Sequence, residues 1–202
     1  MSINTIRLRW MLGFLAIFLP WIVDEVVCYI PPSISATWYT IACTPFMILL
    51  GASAIILICY KGYELIDDIL LSLSGVFALL ICLFPCSVSN GQATTGVFNT
   101  PMGISNTIHC VAAFIFFALL SYNSLFLFTK GDAIMTKKKK IRNIIYRVCG
   151  VGMLASFLLL LLPDFYIKVW LVETFALTFF GISFLTKADI FPFLFCDTPY
   201  KD

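Results

Sequence analysis

Charge is what this sequence has least of. Of its 202 residues only 12% are Asp, Glu, Lys or Arg, while 61% are hydrophobic and 16% aromatic, and the mean hydropathy is +0.99. A soluble domain carries about 25% charged and about 45–50% apolar residues, so these proportions exclude an ordinary water-solvated fold. The chain has one histidine, too few for the multi-histidine cages that hold zinc, and neither a metal nor another cofactor is expected. It contains no G-x-S-x-G, phosphate loop, HExxH or C-x-x-C, and so offers no ready-made nucleophile elbow, nucleotide cradle or redox pair. No short apolar leader with a small-residue cleavage site precedes the first apolar run, and neither end carries a lipidation motif. The N-terminus is therefore expected to be retained. No internal repeat is convincing.

What is present is a series of long apolar runs. They lie at approximately 9–29, 38–60, 66–85, 106–128, 144–163 and 167–187, each close to the roughly 20 residues that a helix needs to cross a bilayer. Pro31-Pro32, Lys61-Gly62, Phe84-Pro85, Lys130-Gly131 and Pro163-Asp164 close the first five, as expected where backbone leaves helical geometry. The fold expected is all-α: one domain over 1–202, a polytopic membrane bundle of about six transmembrane helices. Pro20 and Pro45 fall inside the first and second runs, where each should bend its helix. Small residues such as Gly51 with Ser53 and Ala54, Ala112-Ala113, and Gly150 with Gly152 mark places for helices to approach closely.

Orientation follows from the thirteen Lys and Arg. If the N-terminus is cytoplasmic, Arg7, Arg9, Lys61, Lys130, Lys137 to Lys140, Arg142, Arg147, Lys187 and Lys201 share the inner side, and only Lys168 lies outside. Twelve against one predicts an N-in/C-in arrangement. The basic run between the fourth and fifth spans also suits anionic inner-leaflet lipid. It lacks aromatic interleaving, so no nucleic-acid partner is expected. The opposite connection, 86–105, holds no charged residue and is rich in Gly, Ser, Thr and Asn, which predicts an irregular outer loop lying over the bundle. Cys28, Cys43, Cys86 and Cys110 fall near outer span ends, where an oxidising compartment would permit a disulfide. Their spacing selects no pairing.

Ionisable groups inside spans are costly and are functional candidates by default. Asp24 and Glu25 lie about 22 Å along the first span at a rise of 1.5 Å per residue. His109 comes about one turn into the fourth span, and Glu173 one or two turns into the sixth. Three helices thus bring acidic or imidazole groups to similar depth, where a shared pocket would lower the desolvation cost of each and permit proton exchange or ligand binding. The bland alternative has Asp24 and Glu25 at the interface, His109 on a backbone carbonyl and Glu173 paired with Lys168. Ser87, Ser89 and Ser105 near His109, with Glu173 or Asp24 as the acid, could imitate a hydrolase triad. At the inner side Lys61, Asp67 and Asp68, together with Tyr63 and Glu64, meet Arg142, Arg147 and Lys187, which points to ion pairs locking the helix ends.

The segments PSISATWYT (32–40), YKGYELIDDIL (60–70), LFP (83–85), IHCVAAFIFFALLSYNSLFLFTK (108–130), KKIRNIIYRVCG (139–150) and VETFALTFFGISFLTK (172–187) together span most of the chain. As a set they resemble an uncharacterised family of small bacterial six-span integral membrane proteins. The resemblance implies a compact six-span bundle in a bacterial cytoplasmic (inner) membrane and supplies no activity. It picks out Ser33, Ser35, Tyr39, Lys61, Asp68, His109, Arg142, Tyr146, Glu173 and Lys187. Where that family carries an Arg-Asp pair after the Tyr-Thr of the second span, this chain reads Ile41-Ala42-Cys43-Thr44-Pro45.

These readings converge on a non-enzymatic multi-pass protein that binds a small molecule or lipid in an outward-facing polar pocket of Asp24, Glu25, Tyr39, His109 and Glu173, as a sensor or transporter. An intramembrane lipid hydrolase at the outer interface is the second reading. A self-associating membrane effector or channel, a homo-oligomer among membrane lipids, is the third.

Overall fold

The computed structural model describes residues 3–62, 64–88, 92–130 and 137–189. Tyr63, Ser89, Lys201 and the 131–136 part of the basic connection lie outside them. The chain is an all-α bundle of six helices: α1 (Ile3–Val27), α2 (Cys43–Cys59), α3 (Leu65–Leu83), α4 (Met102–Tyr122), α5 (Lys137–Ser156) and α6 (Lys168–Lys187). Five of these, with α4 extended to Leu127 and α5 to Leu161, are long and apolar enough to cross a membrane, and the protein is a membrane protein. The sixth, α2, has 17 residues, about 26 Å of helix, at the short end of the spanning range.

Helix limits differ from the expected runs for identifiable reasons. α1 stops at Val27 because Cys28 adopts a left-handed backbone (φ 59°), the usual way a helix ends, three residues before the prolines. Residues Ser35–Tyr39 form a 3-10 turn instead of the start of the second span. Pro45 therefore falls in the first turn of α2, where its missing N–H costs nothing, and does not bend it. α3 opens with a reciprocal cap between Glu64 and Asp67. α4 runs on through a π-turn, Asn123–Leu127, and the basic residues Lys137 to Lys140, expected in the connection, lie within α5. The outer connection is not wholly irregular: Thr94–Thr95 (β1) and Thr100–Pro101 (β2) pair as a small antiparallel hairpin.

Each helix packs on its successor and α6 packs back on α1, which closes the six into a ring. A ring of this size needs filling. In one half an aromatic ladder does so: Phe116 meets Phe180 (6.2 Å between centroids), Phe180 meets Phe184 (5.0 Å), Phe184 meets Phe128 (5.0 Å) and Phe128 meets Tyr146 (5.6 Å). All are edge-to-face, the arrangement that aromatic quadrupoles favour.

The closing contact between α1 and α6 depends on two glycines. A Cβ on Gly181 would stand 2.7 Å from the Gly13 carbonyl oxygen, and one on Gly13 would stand 3.0 Å from that of Gly181. Close approach through small residues is the ordinary currency of helix association in lipid. Gly51, by contrast, faces open space and sets no approach. Gly181→Ala is expected to force the helices apart at a cost of about 1–3 kcal/mol, read as a lower melting temperature of the detergent-solubilised protein, while Gly51→Ala, in open space inside α2, does not lower it.

Candidate functional site

The half of the ring beyond the aromatic ladder is hollow. A cavity of about 730 Å³ lies there, walled by Phe46, Phe114, Phe116, Phe117 and Phe157 among other apolar residues; its polar groups are Ser33, Ser35, Cys86, Ser87, Asn106, His109, Cys110 and Glu173. This volume falls within the range of small-molecule sites.

Glu173 enters the cavity from the second turn of α6. Its surroundings come from the connection between α1 and α2. After the left-handed Cys28, Pro31-Pro32 keep the chain extended, and the amide of Trp170 in α6 donates to the Pro32 carbonyl (3.1 Å). The next three residues turn inward onto the carboxylate. Ser33 Oγ (2.9 Å) and the Ile34 amide (2.6 Å) donate to Oε2, while Ser35 Oγ (2.6 Å) and the Ser35 amide (3.4 Å) donate to Oε1. A carboxylate has about four acceptor positions, and this arrangement occupies them all.

His109 reaches the cavity from α4. Its Nδ1 lies 2.9 Å from the carbonyl of Phe84, at the end of α3, where helix carbonyls lack intrahelical donors. A carbonyl only accepts, so Nδ1 carries the proton, and in a neutral imidazole Nε2 keeps a lone pair. No serine hydroxyl among the described residues hydrogen-bonds to this imidazole: Ser105 Oγ donates to the Pro85 carbonyl (2.8 Å), and Ser87 is bonded through its amide to Asn106 Oδ1 (2.8 Å). Burial pushes the Cys86 thiol up to about 12, with the charges of Glu173 and Cys110 adding to the effect. A thiol so held stays protonated and is a poor nucleophile. The seven described cysteines are all free.

Of the five residues expected to form the outer pocket, the structure brings Glu173 and His109 to one cavity. Asp24, Glu25 and Tyr39 do not line it. Asp24 Oδ1 accepts from Trp170 Nε1 (3.1 Å) and ties α1 to α6. Glu25 is exposed. The Tyr39 hydroxyl donates to the Cys86 carbonyl (2.7 Å) and meets Thr95 Oγ1 (2.8 Å), joining the 3-10 turn to the hairpin. Nor does Glu173 pair with Lys168, whose ammonium bonds Asp164 and the Leu162 carbonyl (3.2 Å) at the α5–α6 connection.

The opposite end is polar in a different way. Lys130 pairs with Glu64 (2.7 Å) and Lys138 with Asp189 (2.8 Å), with Arg142 3.9 Å from the latter. Asp67 and Asp68 accept backbone amides, from Glu64 (3.3 Å) and Gly62 (2.6 Å), which caps α3 at the end where its dipole favours negative charge. Lys61 and Arg147 are exposed and form no ion pair with the described residues. Lys187 Nζ donates to the Phe128 carbonyl (3.2 Å) and lies over the rings of Phe128 (5.1 Å) and Tyr146 (5.7 Å). Sequence reasoning overlooked Arg9 and Tyr60 in this group. Arg9 is only 3% exposed; its Nε donates to the Tyr60 hydroxyl (2.5 Å) and its Nη1 to the Lys187 carbonyl (3.0 Å). Its position within the first helix, not beyond it, was the signal available.

Fold and site together define a six-helix membrane bundle with an aromatic-walled cavity. No family model, curated protein or solved structure matches the chain.

Glu173→Ala removes the acceptor that holds the 33–35 turn. The Ile34 and Ser35 amides are expected to exchange with deuterium about 10- to 100-fold faster, matching the roughly 1.5–3 kcal/mol of a hydrogen bond to a carboxylate, with exchange in α3 unchanged.

Proposed function

We propose that this protein is a multi-pass protein of a bacterial cytoplasmic membrane that binds an apolar or amphipathic small molecule, in sensing or transport. The observation that carries this reading is the cavity: large, walled by phenyl rings, and holding Glu173 and His109 in otherwise apolar surroundings. Binding sites of small ligands combine such walls with a few fixed polar groups. A binding role is favoured over hydrolysis because His109 is engaged by a backbone carbonyl and no serine hydroxyl among the described residues bonds it. An outward-facing cavity is favoured because Arg9, Lys130, Lys138, Arg142 and Lys187 gather at the other end, which the distribution of positive charge assigns to the cytoplasm.

Two measurements test this. Native mass spectrometry of the protein extracted in a mild detergent should show a small-molecule adduct of defined mass, absent from Ala113→Trp, which places an indole in the cavity. Adducts identical in both proteins would overturn the binding reading. In a variant retaining Cys28 as its only cysteine, a membrane-impermeant maleimide added to intact cells should label that exposed residue. Labelling only after the membrane is broken would reverse the orientation.

A further inference from the structure

We propose that the cavity takes a lipophilic quaternary cation, an alkyl- or arylammonium or a phosphonium ion, held by the Glu173 carboxylate and the surrounding phenyl rings. This rests on the reading of the cavity as a ligand site and names the chemistry of its occupant.

Among the described lining residues Glu173 is the only Asp or Glu, and there is no Lys or Arg. The nearest lysine along α6, Lys168, is committed to Asp164. A carboxylate within a membrane protein normally has a cationic partner or borders a substrate path, and here the described residues supply hydrogen bonds and no Lys or Arg to Glu173. An anionic ligand would meet a carboxylate with no cation to offset it.

Hydrogen-bonding capacity separates kinds of cation. Four donors from Ser33, Ile34 and Ser35 occupy both carboxylate oxygens. A primary ammonium, which must place three N–H donors, finds no free acceptor position on Glu173, and the Nε2 lone pair of His109 can take only one of the three. A quaternary ammonium or phosphonium has no N–H to place. It needs only a negative field and an apolar, polarisable wall, and the faces of aromatic rings supply the latter through their quadrupoles. Five phenylalanines wall the cavity. The same protein already holds cations over aromatic rings at the opposite end, Lys187 over Phe128 and Tyr146 and Arg9 over Tyr60 (5.6 Å).

Tetraphenylphosphonium and tetraphenylborate have nearly the same shape and opposite charge, so the pair isolates the contribution of charge. Each is added to the full-length protein in a non-ionic detergent and the melting temperature is followed with concentration, for the wild type and for Glu173→Gln, Ser35→Ala and Ala113→Trp. The expected result is stabilisation of the wild type by tetraphenylphosphonium alone. Its apparent affinity should fall on the order of 10- to 100-fold in Glu173→Gln, as a unit charge near the ligand is removed, and stabilisation should vanish in Ala113→Trp. Ser35→Ala loosens the turn but keeps the charge, so it should retain the preference for the cation. That separates a charge effect from a collapse of the turn in Glu173→Gln. Equal stabilisation by both ions, or an unchanged response in Glu173→Gln, with both effects lost in Ala113→Trp, overturns the cation proposal and leaves the cavity a ligand site. A response that survives in Ala113→Trp, or no response in the wild type, also overturns it; the mass-spectrometric comparison then decides separately whether the cavity holds a ligand at all.

Discussion

A single carboxylate organises the outer half of this protein. Glu173 draws the connection between α1 and α2 inward, and four donors from three consecutive residues converge on it. In a lipid environment an unpaired backbone N–H costs several kcal/mol, so the irregular backbone of 33–35 can exist at this depth only because an acceptor meets it. The same contact binds α6 to the α1–α2 connection, beside the Asp24–Trp170 bond and the close approach of Gly13 and Gly181. The ring closes through α1 and α6, and Glu173 stands where the closure meets the cavity.

The two halves of the ring satisfy one constraint by opposite means. Toward the basic end the interior is filled by aromatic side chains in edge-to-face contact. Cations there have partners of their own, the buried Arg9 on Tyr60 and the half-buried Lys187 on the Phe128 carbonyl and rings. Toward the other end the phenylalanines line a void and leave room beside Glu173 and His109. Packing cost makes the filled half rigid and the hollow half the natural place for a ligand. The π-turn at Asn123–Leu127 lies in the filled half, where Ser124 donates to the Tyr146 carbonyl (2.8 Å) and bridges to Ser183 (3.2 Å). It re-aims side chains at a helix junction, as such bulges do.

The apolar runs and their breakers made the helical bundle legible from composition and spacing alone, because the bilayer imposes a length on each crossing and tolerates little charge within it. Single-residue conformations were not legible. The left-handed Cys28 ends α1 early, and a 3-10 turn takes residues that read as the start of the second span. Both depend on what the backbone meets after it leaves the helix. In the site, Glu173 and His109 stood out because an ionisable group inside a span must have a reason. Asp24 stood out equally and belongs to a different contact, since depth along a helix says nothing of which way a side chain faces once six helices close into a ring.

By itself the amino-acid sequence determined the solvent, the helical class, the approximate crossings and the segregation of positive charge. Each of these follows from residue chemistry against lipid and water and needs no knowledge of neighbours. The tertiary structure alone decided which polar residues meet. It placed Ser33 and Ser35 on Glu173, put Tyr39 on the hairpin, buried Arg9 against Tyr60, and left a phenyl-walled space beside the carboxylate. These pairings join residues separated by as many as 140 positions, and only the closing of the ring brings them within reach of one another.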